Sequence, residues 1–131
     1  MKKREITEYI RERVKWWVRW TGLGWWKIDI IYRNEFDKKL DGERSKGCYG
    51  VCFPQWQYRV ATIVFSLNAI KRNRLNKTDL EYAVVHELMH CFINTMREPG
   101  IEHEESAATD LARGFLYCRD GAKQIHERKK S

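Results

Sequence analysis

The chain has 131 residues, 43% of them hydrophobic and six of them tryptophan, which is enough for one domain with a substantial core. Lysine and arginine outnumber aspartate and glutamate by 25 to 18, so the net charge is +7. The many aromatic residues exclude a disordered chain, and the apolar runs are far shorter than the roughly 20 residues that cross a membrane. We therefore expect one globular domain over residues 1–131 and no membrane partner.

The N-terminal segment, residues 1–15, is charged throughout and lacks the apolar core of a secretory signal. We therefore expect a cytoplasmic protein whose cysteines are reduced. Cys48 and Cys52 are four residues apart, which in a strand is about 13 Å and too far to share a metal ion unless a tight turn intervenes. They are predicted to be ordinary thiols.

The first predicted element is a helix. Apolar residues recur at intervals of three and four between Ile6 and Val18, and Gly22 follows them. Alternating apolar residues from Trp26 to Tyr32 then predict a strand. The tryptophans around the end of the helix are expected to pack on the sheet, although nucleic-acid bases could also stack on them.

A polar segment and two more strands follow. Residues 34–46 are polar and contain an Asp-Gly pair, which predicts a loop. A short strand is predicted over 47–53, closed by Pro54, and a longer one, rich in β-branched residues, over 58–67. Residues 68–77 are predicted to be a basic connector. Together these elements predict an α+β fold with a small antiparallel or mixed sheet.

A second long helix is predicted to begin after this connector. Thr78 and Glu81 match the capping-box pattern, a hydroxyl at the N-cap and a glutamate three residues later, so the helix should start at about Asp79. It should continue until the pair Pro99-Gly100 prevents it. Its middle is an apolar run that contains three titratable residues.

Those three residues are His86, Glu87 and His90. Histidines four residues apart lie on one face of a helix, where two imidazoles can share a tetrahedral metal ion at about 2.0–2.1 Å. Glu87 lies about 100° round the helix, too far back to bind the ion but able to take a proton from water bound to it. We therefore predict that His86 and His90 bind Zn²⁺ and that Glu87 is a general base.

A further helix is predicted over 101–119, with Gly121 as its stop. Glu104 continues the apolar stripe of this helix one turn earlier. A buried carboxylate needs a partner such as zinc, so Glu104 is the predicted third ligand, Glu105 the alternative and His103 the third choice. Acidic residues in a first turn also interact favourably with the helix dipole when no metal is present. The stripe consists of Ala107, Ala108, Leu111, Ala112 and Phe115.

The pattern of His86, Glu87 and His90 is the HExxH motif, and a glutamate ligand on the next helix resembles the gluzincin arrangement, to which thermolysin belongs. The short spacing and chain are most similar to the compact minigluzincins and to small phage and bacterial metallopeptidases, over most of the chain. The resemblance implies a zincin-like fold with an N-terminal helix, a small sheet, an HExxH active-site helix and a C-terminal glutamate-bearing helix. It also implies a zinc metalloendopeptidase acting on a peptide or protein substrate, with zinc on His86, His90 and Glu104 and with Glu87 as the base.

In that family the strand before the active-site helix forms an edge of the cleft, which here implies Val60–Leu67, and a peptide would pair with it. The family's glutamate is followed four residues later by an aspartate that orients a histidine ligand. The corresponding residues here are Ala108 after Glu104 and Thr109 after Glu105, so this contact differs. The oxyanion donor stays open among Tyr58, Tyr82, Tyr117 and His103.

Two other functions stay open. The basic surface could tether a zinc protease to DNA, although no nucleic-acid-binding motif accompanies the charge. Alternatively, the chain could be a non-catalytic module in which zinc serves only stability. Salt-dependent binding to DNA would favour the first function, and chelator-induced unfolding without any hydrolysis would favour the second.

Overall fold

The computed structural model describes residues 1–42, 48–94 and 104–130, with the side chains of 124–130 excepted. Within these ranges it forms the predicted α+β fold, with five helices and a three-stranded mixed sheet. The elements in chain order are α1 (Lys3–Trp20), β1 (Lys27–Arg33), α2 (Lys38–Asp41), β2 (Gly50–Gln55), β3 (Val60–Ser66), α3 (Leu67–Arg72), α4 (Lys77–Asn94) and α5 (Glu104–Lys130).

Helix α1 and strand β1 confirm their predicted positions. The helix ends where Gly22 takes a φ of 79°, a conformation that glycine adopts without steric cost. There the Leu23 N–H donates to the Val18 carbonyl at 3.1 Å, which closes the last turn and returns Leu23 to the core. The residues that α1 buries, Ile6, Ile10, Val14 and Trp17, follow the predicted spacing.

Strand β3 lies in the centre of the sheet, parallel to β1 and antiparallel to β2. The implied cleft edge at Val60–Leu67 is therefore wrong, because both sides of β3 are already paired. The run Ile63–Phe65 is buried without alternation, as expected of a strand covered on both faces. The antiparallel edge of the sheet is β2 instead.

Pro54 lies within β2 and does not close it. The Ser66 backbone N–H donates to the Tyr49 carbonyl at 2.9 Å, so these two residues form a hydrogen-bonded pair. In antiparallel strands such pairs recur at every second position, so the residues between them are not hydrogen-bonded across the two strands. Gly50, Cys52 and Pro54 therefore direct their main-chain groups away from β3. A proline at such an outward position removes no hydrogen bond from the sheet.

Two short helices occupy segments predicted to be a loop and a connector. In α2 the Asp37 carboxylate accepts from the Lys39 N–H at 2.9 Å, and in α3 the Ser66 hydroxyl accepts from the Ala69 N–H at 3.2 Å. These helices have four and six residues, too few for an apolar period to be visible in the sequence. Positions 43–47 of the predicted loop lie outside the described residues.

Helix α4 begins at Lys77, two residues before its predicted start. The Asn76 side chain accepts from the Asp79 N–H, and the Asp79 carboxylate accepts from the Asn76 N–H, each at 2.9 Å. The reciprocal cap is therefore formed by Asn76 and Asp79, and the predicted use of Thr78 and Glu81 is wrong. The predicted end at Pro99-Gly100 lies outside the described residues.

Helix α5 continues to Lys130, so the predicted stop at Gly121 is wrong. A glycine inside a helix costs only about 1 kcal/mol, which the longer helix accommodates. Residues 101–103, where this helix was predicted to start, lie outside the described residues.

The buried face of α5 differs from the predicted stripe. Ala108 and Ala112 are fully buried and Leu116 packs against the core, whereas Leu111 and Phe115 are exposed. The buried line therefore advances by four residues, and its extension backward reaches Glu104, with Glu105 next to it. Both glutamates consequently border the contact with α4.

Helix α4 is the most buried helix among the described residues, with Leu80, Val84 and Leu88 excluded from solvent. It contacts α1, β2 and α5, so side chains from three directions meet at its faces. In the described ranges, no helix is long and apolar enough to cross a membrane.

Candidate metal centre

His86 and His90 lie one turn apart on the face of α4 that meets α5. Their ring centroids are 5.1 Å apart, and both side chains are largely buried. This is the arrangement that the four-residue spacing predicts for two imidazoles on one helix face.

Glu105 of α5 reaches both histidines at once. Its Oε2 lies 3.1 Å from Nε2 of His86, and its Oε1 lies 3.0 Å from Nε2 of His90. The side chain is 77% exposed, so the group opens toward solvent on the Glu105 side. Glu105, the alternative to Glu104 in the sequence analysis, is therefore the glutamate that lies beside both Nε2 atoms.

The spacing of these donors suits a small metal ion. One ligand atom from each of His86, His90 and Glu105 lies within 4.8 Å of the other two. A tetrahedral ion with bonds of about 2.0–2.1 Å separates its donors by about 3.3 Å. The histidine–carboxylate contacts of 3.0 and 3.1 Å are made by different oxygens of Glu105, and the three residues are close enough to hold a metal ion after small side-chain movements.

Glu104 and Thr109 contact the other nitrogen of each ring. Glu104 Oε1 lies 3.0 Å from Nδ1 of His90, and Thr109 Oγ1 lies 3.4 Å from Nδ1 of His86. A hydrogen bond donated from Nδ1 fixes the ring and leaves the Nε2 lone pair free for a metal. Glu104, the predicted ligand, is thus placed behind His90, because Nδ1 and Nε2 point in different directions.

The surroundings of His86 favour its neutral form. Burial lowers the pKa of its imidazole, the charge of Glu105 opposes this, and nearby His90 lowers the pKa further, with a net decrease. A neutral imidazole has a lone pair available, as metal binding requires.

Glu87 is buried on the adjoining face of α4, where Gly50 of β2 passes close to it. A Cβ atom built at Gly50 would lie 3.3 Å from Cγ of Glu87 and 3.0 Å from the Phe65 ring, so a larger residue would require these side chains to shift by a few tenths of an ångström. Burial, and then the charge of Glu105, raises the pKa of Glu87 to about 8. A cation held by the neighbouring residues would favour the ionised carboxylate and lower that pKa.

A cleft of about 1450 Å³ surrounds these side chains. One wall is formed by residues 48–55, which include strand β2, and the opposite wall by α4 and α5. The volume of this cleft exceeds the roughly 300–1,000 Å³ that sites for small molecules typically occupy.

Three tyrosines were considered as oxyanion donors, and all three belong to the described residues. Of these three, Tyr82 lines the cleft, with its ring centroid 5.9 Å from that of His86. Tyr58 and Tyr117 are strongly exposed and do not line it, and His103 lies outside the described residues. Sequence reasoning missed the contacts of Glu104 and Thr109 with the Nδ1 atoms. The available signal was that the residue four positions after Glu105 is the polar Thr109, whereas Ala108 has that spacing from Glu104.

Comparisons with protein-family models, with curated proteins and with solved structures found no match to this chain.

Proposed function

We propose that the chain is a zinc-dependent metallopeptidase of the gluzincin type that hydrolyses peptide bonds. The observation that supports this most strongly is the convergence of two imidazole Nε2 atoms and one carboxylate beside a buried glutamate in a large cleft. Two nitrogens and one oxygen with an open fourth side form a donor set typical of catalytic zinc. The ligands are then His86, His90 and Glu105.

Thr109 supports the choice of Glu105. In the gluzincin pattern, a residue four positions after the ligand glutamate orients a histidine ligand, and Thr109 has that spacing and lies beside His86. A hydroxyl replaces the family's carboxylate there, so His86 has a weaker outer partner. Glu104 supplies a carboxylate to His90 instead.

Glu87 is the general base in this proposal. A zinc ion held by the three ligands would supply Lewis acidity, which makes water more acidic and polarises a carbonyl oxygen. The Glu87 carboxylate accepts the proton of the attacking water and then donates it to the leaving amine. Tyr82, which lines the cleft, is the proposed donor of a hydrogen bond to the carbonyl oxygen as that oxygen becomes negative.

Strand β2 replaces β3 as the surface that would bind the substrate backbone. The main-chain groups of Gly50 and Cys52 point outward from the sheet, on the wall that faces Glu87. An extended peptide can pair with them as an additional strand, which fixes its register without requiring a particular sequence.

Digestion of an unbiased peptide library by the zinc-loaded wild-type protein and by Glu87→Gln tests the proposal. We expect cleavage by the wild type, and a loss of about 10²–10⁴-fold in Glu87→Gln because the base is removed. Glu87→Gln should retain its zinc, and Glu8→Gln, on the exposed face of α1, should behave as wild type. Equal rates for Glu87→Gln and wild type would show that Glu87 is not the base. A protein that unfolds on chelation but cleaves no peptide would be a structural zinc module.

A further inference from the structure

An exposed group of aromatic residues lies at one end of the sheet, outside the cleft that surrounds the candidate metal centre. Lys27 and Gln55 both pair with Val60, so the loop before β1 and the β2–β3 hairpin meet at this end. These two loops contain Trp25, Trp56 and Tyr58, which are 67%, 40% and 78% exposed. Together with Arg59 of the same hairpin, these three residues form the aromatic surface.

Arg59 holds the indole rings around one positive charge. Its guanidinium lies 4.8 Å from the ring centroid of Trp25 and 5.9 Å from that of Trp56, and it donates to the Trp56 carbonyl at 2.7 Å. It also lies 5.8 Å from the ring of Trp26, which is buried. Among the described carboxylates, none forms an ion pair with Arg59, so its charge is available to a ligand.

The end of α1 adds a similar pair close by in the chain. Trp20 is exposed, and the Arg19 guanidinium lies 5.7 Å from its ring centroid. Trp20 and Trp25 depart from the expectation that these tryptophans pack on the sheet, whereas Trp17 and Trp26 are buried as expected. Exposed indoles that each lie beside an arginine are thus repeated within this region.

This combination fits a ligand that has both flat rings and negative charge. Aromatic side chains stack on bases of any sequence, and arginine contributes both to stacking and to phosphate binding. The net charge of +7 favours a polyanion. In a duplex the base faces are already stacked on one another, and an acidic peptide has few flat rings to offer the indoles.

We propose that the aromatic surface binds single-stranded nucleic acid, with bases stacked on Trp25 and Trp56 and phosphates beside Arg59. The backbone N–H of Trp56 donates to the side-chain oxygen of Asn94 at 3.3 Å, and Asn94 lies one helical turn beyond His90 on α4. None of the four residues of the aromatic surface lines the cleft around the metal centre, so the site is distinct from that cleft, and its ligand binding does not depend on the proposed peptidase activity.

Fluorescence anisotropy of a labelled oligothymidylate of about 20 nucleotides, longer than the roughly 4–16 nucleotides that one small domain covers, tests the proposal on the full chain. We expect Trp25→Ala and Trp56→Leu each to weaken binding by about tenfold, because one stacked base is lost in each. Tyr117→Ala is the control, since it removes a more exposed aromatic ring from α5, outside the aromatic surface, and it should leave binding unchanged. An oligouridylate of the same length should bind through the same residues.

Three further arms identify other ligands. A duplex of the same length, polyglutamate and anionic phospholipid vesicles are each titrated against the wild type and the two tryptophan variants. Binding of the duplex that is weaker than binding of the single strand supports the proposal.

The proposal is overturned if the oligonucleotide does not bind, or if it binds equally to the wild type and to both tryptophan variants. Tryptophan-dependent binding to the vesicles or to polyglutamate, with none to the oligonucleotide, identifies a membrane surface or an acidic protein and also overturns it. Circular dichroism of each variant shows that the fold is retained.

Discussion

Glu104 and Glu105 are neighbours in sequence, yet they contact opposite nitrogens of His90. Glu104 is 18% exposed and lies behind the ring, whereas Glu105 is 77% exposed and lies on the side where Nε2 of His86 also points. A carboxylate on Nδ1 orients the imidazole, and a carboxylate that faces both Nε2 atoms is placed to bind a metal ion together with them. The two residues should therefore respond differently to the same substitution.

The zinc affinities of Glu105→Gln and Glu104→Gln test this difference. Glu104→Gln should weaken zinc binding by about tenfold, since substitutions of outer partners of histidine ligands typically cost 10–100-fold. Glu105→Gln should weaken it considerably more, because it removes an anionic ligand. Competition with a chelator of known affinity measures both. The reverse order would assign the ligand position to Glu104, as first predicted from the apolar stripe.

The sequence predicts the positions of His86, Glu87 and His90 relative to one another because they share one helix, whose geometry is local. It does not choose between Glu104 and Glu105, because that choice depends on how α5 is rotated against α4. Leu111 and Phe115 were assigned to the buried face from their apolarity, and both are exposed. The rotation is set by contacts between helices, which no spacing within α5 specifies.

At the scale of elements, β2 is the strand whose outer edge borders the cleft. Its main-chain groups at Gly50 and Cys52 face outward, and those at Val51 and Phe53 pair with β3. A substrate strand would therefore be contacted at alternate backbone positions.

N-methylation of the substrate, one backbone amide at a time, tests this contact in any peptide that the library shows to be cleaved. We expect KM to rise about three- to tenfold at every second position, since each lost hydrogen bond is worth about 0.5–1.5 kcal/mol. The intervening amides serve as internal controls. A flat profile, or an increase without a two-residue period, would show that the peptide does not bind as a strand.

The sequence predicts that strands exist over much of 47–67 but not their order in the sheet. Alternation is a local property, whereas a central or edge position depends on which strands pair across the chain. The uninterrupted run Ile63–Phe65 was the available sign that β3 is central, and Pro54 was the sign that β2 is an edge.

At the scale of the whole molecule, one carboxylate joins three helices. Glu81 of α4 is buried, pairs with Arg13 of α1 at 2.7 Å and also pairs with Arg119 of α5. Trp17 donates to the same carboxylate at 3.4 Å. This group fixes the packing of α1 and α5 on the helix that holds both histidines.

Glu81→Gln should lower the free energy of unfolding at neutral pH by about 3 kcal/mol, because it leaves two arginines without their buried partner. Burial raises the pKa of Glu81, but the hydrogen bonds from Arg119 and Arg13 outweigh it, and the pKa falls below its ordinary value of 4.5. The stabilisation is therefore fully present above the unfolded-state pKa and is lost as the pH falls through the lower folded-state pKa. Urea unfolding of wild type and variant across the acid range measures this.

Glu8→Gln, in an exposed pair with Arg4, is the control and should change the free energy of unfolding little. A difference between Glu81→Gln and wild type that persists undiminished in acid would contradict the assignment.

Stepwise addition of zinc to the metal-free protein, with peptide hydrolysis measured at each step, tests the proposed function most directly. We expect hydrolysis to rise in proportion to zinc until about one equivalent per chain is bound, as for a site with three protein ligands and one open position, and then to level off. His90→Ala should neither bind zinc over the same range nor hydrolyse the peptide. Undiminished hydrolysis by the metal-free protein, or none by the protein with one zinc bound, would contradict a zinc-dependent peptidase.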